Sequence, residues 1–267
     1  MDIGITFNRI DDIFSTESGS YDTYNAEETV EALAANLLRL GHNPIRIGNA
    51  RNLIQRLSQN ERWDVVVNAC CNSATVQSGF QIPTILEVYD IPHAFAKSSN
   101  VCITQQQVVA RMLTERAGVH SCETHCTGRK LLVGIVGTGP RAHVIGVIED
   151  SMRRAFTHSS ERVNSTALNA WKTLECRDAG IVTVRMAADG TPHFVSANAT
   201  PDLHPAFSDF AQICRLHGMS YSDLIRGIIN EVTLRLGLDA VNARTHAFDQ
   251  KPQTENRPNA VLPCHHE

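Results

Sequence analysis

Residues 181–205 read IVTVRMAADGTPHFVSANATPDLHP, and the fold turns on how they are read. Ile181, Val182, Thr183 and Val184 are β-branched, as is Val195 further on, and such side chains favour a pleated, half-buried backbone. Asp189-Gly190 lies between the two apolar runs, and this dipeptide is the strongest short hairpin signal a sequence carries. The stretch therefore predicts a β-hairpin. Its return strand is expected to leave the sheet through Ser196, Ala197 and Asn198, where a strand end can offer polar side chains to a ligand.

Composition bounds the rest. The chain has 267 residues, 42% of them hydrophobic and 19% charged, in keeping with a globular protein that has a real core. A net charge of -4 leaves no basic footprint, which argues against nucleic acid and anionic membrane as partners. No apolar run approaches the length of a membrane-spanning helix, and MDIGITF lacks a basic leader, so the cytoplasm is the expected compartment. The 8 cysteines are scattered rather than spaced as a disulfide framework, and reduced thiols are expected.

Working outward, Ile3–Phe7, Pro44–Ile47 and Val65–Val67 read as strands. The apolar positions Val30, Leu33, Leu37 and Leu40, and then Leu53 and Leu57, follow helical spacing between them. Strand alternating with helix predicts a parallel α/β unit with right-handed crossovers. Gly41 sits where a helix would stop. Asn8–Asn25 is polar and acidic, with Asp11, Asp12, Glu17 and Asp22, and reads as a long loop. Gln105–Ala117 predicts a helix closed by Gly118. LLVGIVGTG and Ala142–Glu149 predict a second hairpin turning at Gly137–Arg141. Val163, Ala167, Ala170, Trp171 and Leu174 mark one helix face, and Phe207, Phe210, Ile213 and Cys214 another. A last helix begins at Ser220-x-x-Asp223, close to a capping box, and runs through Leu236.

Several of these pieces resemble one family. Cys176-Arg177-Asp178-Ala179-Gly180, the hairpin, and Leu203-His204-Pro205 are similar to the C-terminal segment of D-alanine–D-alanine ligases of the ATP-grasp superfamily. Val65–Asn68, Gln81–Glu87 and Ile91-Pro92 resemble the N-terminal domain of the same enzymes. The resemblance covers nearly all of residues 1–238. It implies a parallel N-terminal domain at 1–100 and a helix and loop at 101–128, where the family's central ATP-clamping subdomain is missing. It further implies an ATP-grasp-like α+β C-terminal domain at 129–238, and a tail at 239–267 is expected to be disordered. ATP and Mg²⁺ are the implied cofactors, an ATP-dependent carboxylate–amine ligation is the implied activity, and a homodimer joined through the N-terminal domain is the implied assembly. Ile82, Ile85, Leu86 and Tyr89 are the candidate face for that contact.

Where the family keeps its chemistry, the residues differ. The implied metal-binding Asp and Glu correspond to Thr183 and Ser196, and the implied substrate arginine to Ile181. The nucleotide lysine corresponds to Gln106, in the pair Gln105-Gln106, while Cys71 and Ser78 stand for a glutamate and an arginine. Only Asn198 keeps the implied ligand type. Mg²⁺ is a hard cation that seeks carboxylate oxygens, so the expected protein is a degenerate family member with a binding or regulatory role. An active ligase with a rearranged site, drawing carboxylates such as Asp178, Asp202 or Asp209 towards Asn198, is the alternative. A second alternative is a zinc or thiol site at His120, Cys122, His125 and Cys126, whose soft donors suit Zn²⁺. One short loop does not readily close a tetrahedron on itself, so no structural zinc is expected. Cys70-Cys71, past the third strand, is a further thiol candidate.

Overall fold

A computed structural model describes residues 1–8, 26–69, 78–122, 127–152, 154–156 and 161–237, with the side chains of Ser78 and Arg154 left aside. The 8–25 loop, Cys70-Cys71 and the 239–267 tail therefore lie outside the described residues, apart from Asn8.

Strands β1 (Asp2–Thr6), β2 (Asn43–Gly48) and β3 (Val65–Asn68) form a parallel sheet in the order β2-β1-β3. Every residue of β3 is buried, as a strand covered on both faces requires. Helix α1 (Ala26–Arg39) crosses from β1 to β2. It stops at Gly41, whose φ of 82° is left-handed, while the N–H groups of Gly41 and His42 return to the carbonyls of Leu38 and Leu37. Helix α2 (Ala50–Ser58) opens with a reciprocal cap: the Asn49 side chain accepts from the Asn52 N–H, and the Asn52 side chain accepts from the Asn49 N–H. Beside β3 a short parallel bridge, Val66 to His93, extends the sheet and places His93 at the boundary with the second half.

Three helices follow: α3 (Ser78–Val88), α4 (Ser98–Gln105) and α5 (Gln107–Arg116). The helix expected over 105–117 forms as α5, and a separate helix that was not expected, α4, ends just before it. Gln106 interrupts them with a ψ of 81°, although no glycine or proline marks the place.

The second sheet is antiparallel, in the order β6-β5-β4-β7-β8. It is built from β4 (Lys130–Val136), β5 (His143–Glu149), β6 (Arg154–Ala155), β7 (Ala179–Met186) and β8 (Pro192–Asn198), with a single 3-10 turn at Gly139–Arg141. Both expected hairpins form. Helix α6 (Glu161–Thr173) lays Val163, Ala167, Ala170 and Trp171 on one face, against Leu131, Val133, Val182 and Phe194. On the opposite face, α7 (Asp209–Leu216) and α8 (Tyr221–Leu236) bury Phe210, Ile213, Leu224 and Ile228 in a core that continues into Ile3, Ile5, Leu33 and Leu37 of the first half. The two sheets therefore share one hydrophobic core. Phe207 departs from its expected place on α7: it precedes Ser208, the N-cap, and is 70% exposed.

The return strand is longer than expected. Pairing continues through Ser196 and Asn198, which face Thr183 and Ile181, and a bulge absorbs Val195 between Phe194 and Ser196. The bulge keeps Phe194 on the face of Val184, in the α6 core, and puts Ser196 and Asn198 on the other face.

Candidate functional site

Because side chains alternate along a strand and cross-strand partners share a face, β7 and β8 bring four family-implied positions together. Ile181 lies opposite Asn198 and Thr183 opposite Ser196. Ile181 and Thr183 are buried, and Ser196 and Asn198 are half-buried. The arrangement offers two hydroxyls, one amide and a methyl-rich side chain, with no charge among them.

The Asn198 amide also has a local role. Its Oδ1 accepts the Thr200 N–H at 3.1 Å, closing a turn at the strand end. The following loop is similarly self-bonded. Asp202 Oδ1 accepts the His204 N–H at 2.8 Å, and His204 Nδ1 accepts the N–H groups of Ala206 and Phe207, each at 3.1 Å. With Nδ1 an acceptor, the proton of a neutral His204 sits on Nε2, which lies 3.4 Å from Glu28 Oε2. Asp178, another carboxylate considered for the site, is fully buried and bound elsewhere. Among the described residues no group of three or more His, Cys, Asp or Glu could hold a metal ion. Neutral oxygens at Thr183, Ser196 and Asn198 do not fit the Mg²⁺ site that the family implies. Gln106 is exposed at the α4–α5 junction, its amide 3.6 Å from Cys102 Sγ, and brings no charge to a phosphate.

The segment before the expected deletion has its own structure. His120–Cys122 runs parallel to β8: the Phe194 N–H donates to the His120 carbonyl at 2.8 Å, and the Cys122 N–H to the Phe194 carbonyl at 3.0 Å. Of the proposed zinc quartet, His120 is exposed and Cys122 half-buried, while His125 and Cys126 lie outside the described residues. His193 joins them from β8, its ring 5.9 Å from that of His120, a neighbour that sequence spacing did not reveal. Cys122, Thr127, Arg185 and His193 line a cleft of about 330 Å³. Cys176 and Cys214 are buried in the core, and burial pushes both thiols up to about 12, so neither is a nucleophile at neutral pH.

A polar assembly around Asp178 was not apparent from the sequence. Asp178 accepts Arg235 Nε at 2.9 Å and Nη2 at 2.8 Å, and the Phe95 N–H at 2.8 Å. Thr138 Oγ1 lies 3.3 Å from its second oxygen. Arg177 Nε donates to the Phe95 carbonyl, and Arg235 Nη2 donates to the His93 carbonyl at 2.8 Å. Burial, with the charge of Arg235 beside it, lowers the Arg177 guanidinium to about 10, and at neutral pH it stays charged. This network ties the 93–95 segment of the first half to the strand entry at β7 and to α8. Two of its members, Phe95 with a φ of 71° and Asp178 with a φ of 64°, have left-handed backbones.

Comparison with known proteins accounts for this architecture. Residues 123–230 match the family described as D-ala D-ala ligase C-terminus. The D-alanine–D-alanine ligase of Bordetella petrii is 26% identical over 142 residues, covering 45% of this chain and 43% of that protein. That of Cupriavidus metallidurans is 27% identical over 135 residues, covering 43% of this chain and 41% of the relative. The matched stretch thus spans less than half the length of these curated relatives. Among solved structures, the D-alanine–D-alanine ligase from Bacillus anthracis complexed with ATP superposes with a TM-score of 0.68 at 15% identity, covering 90% of this chain and 99% of that one. The VanG D-Ala:D-Ser ligase from Enterococcus faecalis gives 0.67 at 12% identity, covering 86% and 99%. At such identities these likenesses establish the fold. Residues 123–230 thus carry a sequence match to the D-alanine–D-alanine ligase C-terminal family, and the fold of the chain is similar to that of the solved D-alanine–D-alanine ligases.

Proposed function

We propose that this protein keeps the ligase fold as a binding or regulatory member of the family and does not ligate. The observation that carries the reading is the pairing of Thr183 with Ser196 and of Ile181 with Asn198 on one sheet face. Family resemblance places metal and substrate groups at those four positions, and here none bears a charge. Phosphoryl transfer depends on neutralising the transferred group with metal ions and cationic side chains, and neither Ile181 nor Gln106 supplies one. Asp178 cannot be recruited without breaking its bonds to Arg235, and Asp202 is bonded to the His204 N–H. These bonds weigh against an active ligase with a rearranged site.

The test is a melting experiment with millimolar Mg·ATP, run beside phosphate release in the presence of D-alanine. A ligand at a hundred times its Kd raises stability by about 2.7 kcal/mol; the expected shift here is near zero, with phosphate release at the blank level. Thr183→Asp with Ser196→Glu should recover Mg²⁺ affinity without turnover. Phosphate release above blank that disappears in Asn198→Ala would establish a working ligase.

We also propose a homodimer through the first half of the chain. Ile82 and Leu86 of α3 turn out to be buried within the subunit, while Val88 is 74% exposed and Tyr89 37% exposed at its end. A contact there would use Val88 and Tyr89. Light scattering at micromolar concentration should give twice the chain mass; a monomer throughout would refute the assembly.

A further inference from the structure

His93 stands where the two halves meet, 5% exposed, on the short bridge beside β3. Its Nδ1 is 3.1 Å from the Ala94 carbonyl oxygen. A carbonyl only accepts, so Nδ1 carries a proton and, in the neutral ring, Nε2 is bare. Two groups approach that bare nitrogen. Arg177 Nη2, from the strand entry of the second sheet, is 3.4 Å away and can donate to it. Glu87 Oε1, from α3 in the first half, is 3.5 Å away and can bond it only when Nε2 also bears a proton. One ring atom thus has a donor on one side and an acceptor on the other, and protonation decides which it serves.

We propose that His93 is a proton-operated latch between the two halves: neutral, its Nε2 holds Arg177 across the boundary; protonated, it turns that bond to Glu87 of its own half and lets the Arg177 side go. The surroundings of the ring support this. Glu87 is already organised as an acceptor, receiving the Ser98 N–H at 2.9 Å and the Ser98 hydroxyl at 2.5 Å. Burial tends to raise its carboxyl, and the Ser98 bonds with His93 outweigh that and keep it low, hence ionised at mildly acid pH. On the other side, an imidazolium would face the guanidinium groups of Arg177 and Arg235, of which only Arg235 is paired directly with Asp178. Arg177 Nε also holds the Phe95 carbonyl, and the Phe95 N–H is held by Asp178, so repulsion at Arg177 acts on the whole cross-boundary clamp.

Burial first, then the charges of Arg177 and Arg235, hold the imidazole below its ordinary range, against the Ala94 carbonyl and Glu87. A histidine lowered on folding binds fewer protons folded than unfolded. The stability it contributes is therefore complete above about pH 6.5 and is lost as pH falls from there towards the folded value. The latch is closed at neutral pH and opens in acid.

Nitrogen-detected NMR of the full chain reads the latch directly. At about pH 7.5 the His93 ring should be the Nδ1–H tautomer, and as pH falls below about 6.5 it should gain its second proton. Over the same range the Phe95 amide, corrected for intrinsic exchange, should exchange roughly tenfold faster. Glu87→Gln removes the negative charge that favours the protonated state, so His93 should titrate at lower pH and Phe95 should stay protected further into acid. An Nε2–H tautomer at neutral pH would overturn the proposal. So would a His93 titration that leaves Phe95 exchange unchanged, or one that Glu87→Gln does not move. Should Glu87→Gln fail to fold, the tautomer and the exchange of the unaltered chain decide the matter.

Discussion

Replacing Asp178 by Asn should destabilise the protein by about 3–5 kcal/mol, the cost of removing one partner of a buried ion pair. The carboxylate is fully buried, and the Arg235 side chain retains 16% of its exposure. Two of its bonds, at 2.9 and 2.8 Å, form a fork on the Arg235 guanidinium, and a third takes the Phe95 N–H. Asn is the appropriate substitution because the φ of 64° at this position is left-handed, where Asn is tolerated and Ala is strained. An Asn Oδ1 can still accept from Phe95, but its amide presents N–H groups to a guanidinium that has only donors. What is lost is the charge pairing, and a guanidinium is left in a poorly solvated place. For a chain of this size each kcal/mol moves the midpoint by about 2–4 °C, so the expected drop is about 6–20 °C. Urea unfolding followed by the fluorescence of Trp63 and Trp171, with calorimetry beside it, measures the loss. Removing the orphaned charge in the double variant Asp178→Asn, Arg235→Met should restore at least half of it. A loss below about 1 kcal/mol, or a double variant worse than the sum of the singles, would refute the view that this pair holds the halves together.

Gly180→Ala should cost about 1–3 kcal/mol by overpacking, read as a lower urea midpoint at unchanged slope. An added Cβ would lie 2.3 Å from the Asn198 carbonyl oxygen and 2.6 Å from the Trp171 ring, and neither backbone nor core tryptophan can yield cheaply. Alkylation of the folded protein at about pH 8 should leave Cys176 and Cys214 unmodified in a peptide mass map and modify the half-buried Cys122, since burial pushes the first two thiols up to about 12. Modification of Cys176 as fast as of Cys122 would show that the α6 core opens.

Much of the architecture is written in short stretches. Asp189-Gly190 turns the hairpin, Gly41 ends α1, and Ser220 caps α8 by accepting the Asp223 N–H, each through torsions or bonds that close within a few residues. The apolar spacing of α6 and the unbroken Val65–Val67 run likewise assign those elements to the core, because burial of a face follows directly from the period of the side chains. The likeness to the ligase family was legible for the same reason, in motifs carried by contiguous residues. Packing between distant elements decided the rest. Nothing local in Gln105-Gln106-Gln107 breaks a helix, yet the chain changes direction there, where α4 packs on α3 and α5 on β8. Val195 is β-branched and reads as an ordinary strand residue; only pairing with β7 makes it a bulge and fixes which face Ser196 and Asn198 occupy. Asp178 and Arg235 stand 57 residues apart, and His93 lies further still from α8, so no pattern along the chain announces that they meet. A buried charge needs its partner in space rather than in sequence. The position of that partner is set by how the two sheets close over their common core.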